Sequence, residues 1–312
     1  MNSKMTVATR QWLIGHCASI GLVLFLGHSH LAMAQEAKIA SRPLTPMNIV
    51  DFGLPPDTQT SGGLLNVGLG APLYLEAQVP TGTVVTGIQW SLASRPNGSN
   101  AQLTASPLDE NVPIYNPGDR EVSSVAGRIV FIPDVVGLYQ VDATVSTDAG
   151  DIELTQLVTG ATYIGVGKLD LEFNDPPQCA RCHSDVTTDW LDTGHATAMT
   201  RKIDGIGVSH FAEYCLKCHN TGYDTTPAAD NGGFDDVAAV TGWIFPETIE
   251  PGNWDAMPED LKVVSNVQCE SCHGPGDQHS RSGGNPIHIT SSTSSGDCGQ
   301  CHEAPPYHTK NA

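Results

Sequence analysis

Eight of the nine cysteines follow one repeated pattern, in which two cysteines are separated by two residues and followed directly by a histidine. The pattern occurs as Cys179-Ala180-Arg181-Cys182-His183, Cys215-Leu216-Lys217-Cys218-His219, Cys269-Glu270-Ser271-Cys272-His273 and Cys298-Gly299-Gln300-Cys301-His302. Two thiols at this spacing can add to the two vinyl groups of one porphyrin, and the adjoining imidazole then binds the iron as proximal ligand. The residues therefore predict four covalently bound haem c groups.

Cysteines at this spacing also have uses other than haem attachment. A single pair at this spacing could also be a redox dithiol or half of a zinc site. Four copies, each followed by histidine and with no cysteine left over after residue 34, make both alternatives remote. Disulfide bonds are excluded in this interpretation because four haems use all eight thiols.

The sixth ligand of each iron decides between an electron carrier and an enzyme, because an iron with two protein ligands cannot readily bind substrate. Beyond the four proximal histidines, the chain after residue 34 offers His195, His210, His279, His288 and His308. Five candidates for four irons predict two imidazoles on every iron. One of the five is then a bystander or a ligand to a neighbouring subunit. Met199 and Met257 are the other candidate ligands, and we assign them to packing.

The second half of the chain, residues 168–312, must position these groups. This segment is too short to form an ordinary apolar core in addition to holding four haems. We therefore expect the porphyrins to fill the interior, with short helices and long loops around them. Helices are predicted over 185–202 and 209–219, and loops over 224–240 and 291–295.

The preceding residues, 49–167, contain neither cysteine nor histidine and favour strands separated by turns. The candidate strands are 63–69, 73–79, 83–94, 101–105, 127–132, 138–146, 151–158 and 162–166. Runs such as Pro96-Asn97-Gly98 and Asp148-Ala149-Gly150 supply the turns. This pattern predicts an all-β sandwich, preceded by an N-terminal segment at 35–48.

The first 34 residues have the pattern of a secretory signal peptide. Lys4 and Arg10 precede an apolar run from Trp12 to Gly27, and Ala32-Met33-Ala34 matches a cleavage site. The apolar run is shorter than the 18 or so residues of a spanning helix, and we treat Cys17 as removed with the leader. We therefore expect export to the periplasm or the extracellular space, with no membrane span after cleavage.

The charge balance restricts the partners. The chain has 34 acidic against 15 basic residues, which disfavours nucleic acid because the phosphate backbone would be repelled. An acidic surface suits a basic or metal-rich partner. We expect redox-partner proteins or extracellular electron acceptors.

Further motifs resemble known families. The order of four further motifs resembles the cytochrome c-554 family of multihaem cytochromes. These motifs are Trp190-x-x-x-Gly194-His195-Ala196, His219-Asn220-Thr221-Gly222-Tyr223, Gly232-Gly233-Phe234 and Cys269-Glu270-Ser271-Cys272-His273-Gly274-Pro275-Gly276-x-x-His279. The resemblance implies an exported electron-transfer protein with closely stacked haems, in which His195 and His279 match family positions. Motif and haem number are also similar to the tetrahaem subunits of extracellular cytochrome nanowires.

The β half has a resemblance of its own. The stretch around Trp90, followed by Phe131-Ile132-Pro133-Asp134-x-x-Gly137-x-Tyr139, is similar to immunoglobulin-like or polycystic-kidney-disease-type domains. The resemblance implies that Trp90 fills the core and that Tyr139 lies near the corner of a late strand.

Together these observations favour an exported tetrahaem c-type cytochrome that carries electrons along bis-histidine haems. The surplus histidine and the added β domain lead us to expect head-to-tail assembly into an electron-conducting filament, with a monomer as the alternative. Two other interpretations stay open. One is an oxidoreductase with one open haem acting on a small nitrogen or sulfur compound, and the other is an adhesive filament in which haems serve as structural staples.

Overall fold

The computed structural model describes residues 36–108, 112–114, 124–169, 178–207, 210–224, 230–291 and 295–303. The predicted signal peptide, Cys17, Tyr307 and His308 lie outside these ranges. Residues 35–312 form one unit by their contacts. We call residues 38–161 the β region and residues 178–303 the motif region.

Short alternating or β-branched runs in the β region form two four-stranded sheets. The strands are β1 (Lys38–Arg42), β2 (Asn66–Gly68), β3 (Leu73–Val79), β4 (Val85–Ser94), β5 (Leu103–Ala105), β6 (Ser124–Phe131), β7 (Gly137–Thr147) and β8 (Gly150–Ala161). One sheet has the order β1-β3-β6-β5 and the other β2-β8-β7-β4. All neighbours are antiparallel except β2 and β8.

The apolar core lies between the two sheets. Along β7, Tyr139, Val141, Ala143 and Val145 alternate with more exposed residues and are fully buried, as the two-residue period of a strand requires. The Tyr139 hydroxyl donates to Val135 O at 2.7 Å and accepts from Val135 N at 3.0 Å, the corner contact typical of immunoglobulin-like sandwiches. The two-sheet architecture is confirmed, while the immunoglobulin-like assignment stays a prediction.

Strand β3 is buried along its whole length because both of its faces are covered. Its second face carries Glu76, which is 1% exposed and lies between Arg42 and Arg128 at 3.5 and 2.9 Å. A buried carboxylate requires such partners, since an unpaired charge in the interior is strongly destabilising.

Helices in the described residues are short. They are α1 (Pro46–Asp51), α2 (Cys179–Cys182), α3 (Ser184–Leu191), α4 (Ala198–Ile203), α5 (Leu216–His219), α6 (Phe234–Thr241), α7 (Asn253–Ala256), α8 (Glu259–Val263), α9 (Cys269–His273), α10 (Asp277–Arg281) and α11 (Ser295–His302). Three 3-10 turns cover His195–Thr197, Glu213–Cys215 and Pro286–His288. The predicted order of a β half followed by short helices is confirmed.

Two predicted elements of the motif region are wrong. The helix expected over 185–202 divides into α3 and α4, because the Asn266 side chain accepts the N–H groups of Met199 and Thr200 and so begins a new helix. The loop expected over 224–240 contains α6 instead. Met199 and Met257, which we assigned to packing, lie buried in a small apolar cluster with Phe234 and Leu261.

The strand predicted over 162–166 is also wrong. Its N–H groups bind the motif region rather than a neighbouring strand: Thr162 N donates to Asp277 Oδ1 at 2.9 Å, and Val166 N donates to the Gln268 side chain at 2.5 Å. In contrast, β1 lies at 38–42, where no strand was predicted. Within the described ranges no helix has the length and apolar composition needed to cross a bilayer.

Candidate functional site

Each of the four cysteine–histidine motifs lies on a short helical segment, α2, α5 with its preceding 3-10 turn, α9 or α11. Residues three apart on a helix share one face. The two thiols of a motif therefore point to the same side, and the histidine follows at the end of the helix. This local geometry suits attachment of one flat group through both sulfurs.

The cysteines of different motifs contact each other in pairs. The Cys179 thiol donates to Gly165 O at 3.6 Å and lies beside Cys269, and the interaction between the two thiols raises the pKa of Cys179 and lowers the pKa of Cys269 to about 7. Likewise Cys301 lies beside Cys218, and the interaction between these two thiols raises the pKa of Cys301 and lowers that of Cys218. The first motif is thus adjacent to the third, and the second to the fourth. The eight described cysteines form no disulfide bond.

Hydrogen bonds define which nitrogen of several histidine rings remains available. His219 Nδ1 lies 2.8 Å from Ala198 O, and His273 Nδ1 lies 2.8 Å from Thr290 O. His279 Nδ1 lies 3.0 Å from Asn285 O. A carbonyl oxygen only accepts, so Nδ1 carries the proton in all three rings and Nε2 keeps its lone pair for a metal.

Two pairs of imidazoles lie close together. The ring centres of His183 and His279 are 6.3 Å apart with their planes inclined by 16°. The ring centres of His195 and His302 are 6.2 Å apart with an angle of 57°. In each pair one ring belongs to a cysteine–histidine motif and the other is a spare histidine.

This spacing fits one metal ion between the two rings. A metal–imidazole bond is about 2.0–2.1 Å long and the bound nitrogen is about 1.1 Å from the ring centre, so two rings on opposite sides of one ion have centres about 6.3 Å apart. The centre-to-centre distance in each pair is therefore the one expected for two imidazoles on one metal ion. Among the described residues no three histidine, cysteine or carboxylate side chains converge as a metal-binding group.

The other histidines have different surroundings. His210 is exposed and precedes Phe211, whose ring lies edge-on to His219 with centres 5.2 Å apart. His288 Nδ1 lies 3.0 Å from the Thr159 hydroxyl, which itself lies 3.4 Å from Ile287 O as a donor. His288 Nδ1 is therefore engaged by the Thr159 hydroxyl. His308 lies outside the described residues.

Glu270, inside the third motif, has a structural role that the sequence did not reveal. It is 2% exposed, and its carboxylate accepts from Gly276 N at 2.6 Å, Gly165 N at 2.7 Å and Ile164 N at 3.1 Å. Burial raises its pKa to about 7 despite these donors. In the sequence, only its position inside a motif pointed to this residue. The Glu270 carboxylate binds the extended segment after β8 to the third motif.

The glycine motifs quoted above explain a second close contact. A Cβ at Gly233 would lie 2.1 Å from Gly222 O, and a Cβ at Gly222 would lie 2.5 Å from the ring of Tyr163. Phe234 N also donates to Thr221 O at 3.1 Å. The Asn-Thr-Gly-Tyr and Gly-Gly-Phe segments are therefore packed backbone to backbone, which only glycine permits at those two positions.

Comparison with known proteins gives one match. Residues 178–239, which include the first two motifs, match the family model described as "Cytochrome c554 and c-prime". No curated protein and no solved structure matches the chain. The match supports a c-type cytochrome family, which implies covalently bound haem c and a haem-based electron-transfer function.

Proposed function

We propose that this protein is an exported tetrahaem c-type cytochrome that carries electrons along bis-histidine haems. The observation that carries the proposal is the two pairs of neighbouring imidazoles, His183 with His279 and His195 with His302, at the spacing of two ligands on one iron. Each pair combines a proximal histidine with a spare histidine that is distant in the sequence, because the second and third motifs lie between the two residues along the chain. Side-chain packing alone gives no reason for two histidine pairs to have the same distance between ring centres.

The pairs assign distal ligands to two of the four motifs. His279 is the distal ligand opposite His183, and His195 is the distal ligand opposite His302. His210, His288 and His308 remain for the second and third motifs, with one in surplus. When bound, haem supplies one-electron chemistry at its iron, and two imidazoles hold the reduction potential below that of a histidine–methionine site.

Contacts between motifs support a carrier rather than four isolated centres. Neighbouring cysteines place the first motif beside the third and the second beside the fourth. Adjacent attachment points favour short distances for electron transfer within each pair of motifs. The acidic surface supports a basic redox partner or a metal-rich extracellular acceptor.

Spectroscopy of the mature holoprotein tests the proposal. We expect an intact mass equal to the chain from Gln35 plus four haems, and an electron-paramagnetic-resonance spectrum with only low-spin iron. His279→Ala should convert one iron to high spin, since its sixth ligand is lost. Gln278→Ala, one residue earlier on α10, is the control and should leave the spectrum unchanged.

Two outcomes contradict the proposal. Fewer than four haems on matured protein would refute the tetrahaem assignment, and an unchanged spin state in His279→Ala would refute that ligand. Rapid carbon monoxide binding to one haem of the reduced unmodified protein would favour the alternative oxidoreductase with an open haem.

Assembly into a filament is a second proposal, supported by the fifth spare histidine. A spare histidine on a neighbour's iron would make a head-to-tail contact that does not close on itself. Negative-stain electron microscopy of native secreted protein should then show filaments. Discrete particles at every concentration would refute assembly.

A further inference from the structure

Two apolar side chains near the end of α6 are almost completely exposed. Val240 is 86% exposed and Ile244 is 84% exposed, the highest values for large apolar side chains among the described residues. Val237, one helical turn before Val240, is half-buried and lies on the same face of α6. We call these three residues the apolar patch. Exposed apolar side chains that are grouped in one place indicate an interaction surface, whereas scattered single ones do not.

The end of α6 has a defined structure that holds the patch in place. Gly242 follows the helix with a φ of 67°, and Trp243 N donates to Ala238 O at 3.0 Å. This is the hydrogen bond of a Schellman motif, which favours glycine at the left-handed position. The Trp243 ring then packs against Phe234 with ring centres 5.6 Å apart, while Ile244 remains exposed.

The chain around the apolar patch is acidic. Between Lys217 and Lys262 it has nine aspartate or glutamate residues and neither lysine nor arginine. Glu247 and Glu250, which follow the patch in the sequence, are exposed. Lys262 itself lies 2.8 Å from the carboxylate of Glu259. The patch therefore has a negatively charged rim.

Carboxylates from separate segments also come together on this side of the fold. Burial raises the pKa of Tyr223, and nearby negative charges raise it further. These charges belong to Asp235, Glu213 and Asp224. The ring centre of Tyr223 is 6.2 Å from that of Phe234, the first residue of α6. The negative charge is thus a property of the folded surface as well as of the sequence.

Aromatic rings connect the apolar patch with a predicted iron ligand. Phe245, next to Ile244, has its ring centre 6.0 Å from that of Phe211. Phe211 lies edge-on to His219, the proximal histidine of the second motif, with centres 5.2 Å apart. A protein bound at the patch is therefore separated from this histidine by only two rings.

We propose that the apolar patch and its acidic rim form the docking surface for a basic electron-transfer protein, which exchanges electrons with the haem of the second motif. The inference rests on the proposed function and adds the chemistry of the partner and the haem it approaches. In the exchange the partner's oxidised centre gains the one electron that the haem iron loses, and the iron passes from ferrous to ferric.

The charge of the surface determines the kind of partner. An apolar centre with a charged rim is the usual composition of a protein interface, and a negative rim attracts a positive one. A second copy of this chain does not fit, because it has the same excess of acidic residues, 34 against 15. The partner is therefore a different protein with basic residues around its redox centre.

Binding and electron transfer to mitochondrial cytochrome c, a basic haem protein, test the proposal. Calorimetry with both proteins oxidised measures affinity. Stopped-flow mixing with the reduced holoprotein measures the rate, followed by the iron–methionine absorption band that bis-histidine haems lack. The rate constant should fall about tenfold or more from low to high salt, because screening weakens the attraction.

Variants of the rim and of the patch separate the two contributions. Glu247→Lys combined with Glu250→Lys should lower both affinity and rate constant about tenfold at low salt. Ile244→Ala removes apolar contact area and should weaken binding about fivefold. All three side chains are exposed, so the fold does not depend on them.

Asp148→Lys combined with Asp151→Lys is the matched control, because it changes the net charge by the same amount. Both residues are exposed at the β7–β8 turn. Strand β8 leads from this turn to the motif region over a length of roughly 35–40 Å. Affinity and rate constant should stay within about twofold of those of the unmodified protein.

Three outcomes would overturn the docking surface. Equal losses in the two charge-reversal variants would show that only net charge matters. A changed low-spin spectrum in Ile244→Ala would show that one of the protein's own haems covers the patch. A dimer of the unmodified protein that Ile244→Ala dissociates would make a second copy the occupant. Fewer than four haems in the unmodified protein would instead contradict the proposed function.

Discussion

The buried carboxyl of Glu270 leads to a prediction about stability and pH. Burial raises its pKa and the three backbone donors lower it, and burial dominates to give about 7 against an ordinary value of 4.5. The folded protein therefore binds this proton more tightly than the unfolded chain. The stability contributed by the protonated carboxyl is fully present below pH 4.5 and is lost as the pH rises through 7.

The size of the effect follows from the difference between the two pKa values. A difference of that size corresponds to about 3 kcal/mol, because each pKa unit is worth about 1.4 kcal/mol and the side chain is fully buried. Asp297 and Asp235 change stability in the same direction, since burial raises their pKa values to about 7 and about 6. The unmodified holoprotein should therefore lose stability between pH 4.5 and pH 7.5.

Chemical unfolding of the holoprotein at constant salt, repeated across this pH range, measures the slope. The side chain of the Glu270→Gln variant cannot ionise. Between pH 4.5 and pH 7.5 the free energy of unfolding of this variant should therefore fall by about 3 kcal/mol less than that of the unmodified protein. Its amide also places a donor against backbone N–H groups, which lowers stability equally at every pH. The slope, rather than the offset, is the readout.

Glu259→Gln is the control, because Glu259 is exposed and the hydrogen bond from Lys262 lowers its pKa instead. Its slope should follow that of the unmodified protein. Parallel curves for Glu270→Gln and the unmodified protein would refute the reasoning. In that case the three N–H donors would outweigh burial, and the carboxyl would be ionised throughout.

Two further predictions concern the haem count and the β region. Replacing Cys215 and Cys218 by alanine should reduce the intact mass by one haem, because both thioether bonds of the second motif are removed, and four haems in that variant would refute the attachment. Glu76→Ala leaves its two arginine partners buried without their carboxylate, so the free energy of unfolding should fall by about 3–5 kcal/mol in denaturant titrations, and a loss below about 1 kcal/mol would show that the cluster is well solvated.

Much of the β region followed from local patterns. Strand β3 has the predicted bounds, and β4, β7 and β8 differ from prediction by a few residues at their ends. In these strands alternating side chains meet one apolar interior, so the period is visible in the sequence. The segment at 162–166 has the same composition, yet it is not a strand because its donors bind Glu270 and other distant side chains.

The prediction of covalent haem attachment depends on the sequence alone. Attachment of a haem requires two thiols and a histidine within five consecutive residues, and one helical turn brings them to one face. The type of cofactor, its number and the proximal ligands could therefore be predicted without a fold. The number of histidines also predicted two imidazoles for each iron, because five spare histidines are present for four irons.

Which spare histidines lie beside His183 and His302 could be seen only in the tertiary structure. His183 meets His279, and His195 meets His302, across the second and third motifs. The Gln300 side chain of the fourth motif likewise binds Leu44 O and Ser61 O, near the start of the β region. Such contacts depend on how the whole chain packs, because ring spacing is set by the positions of several helices at once and leaves no periodic trace in the residues between them.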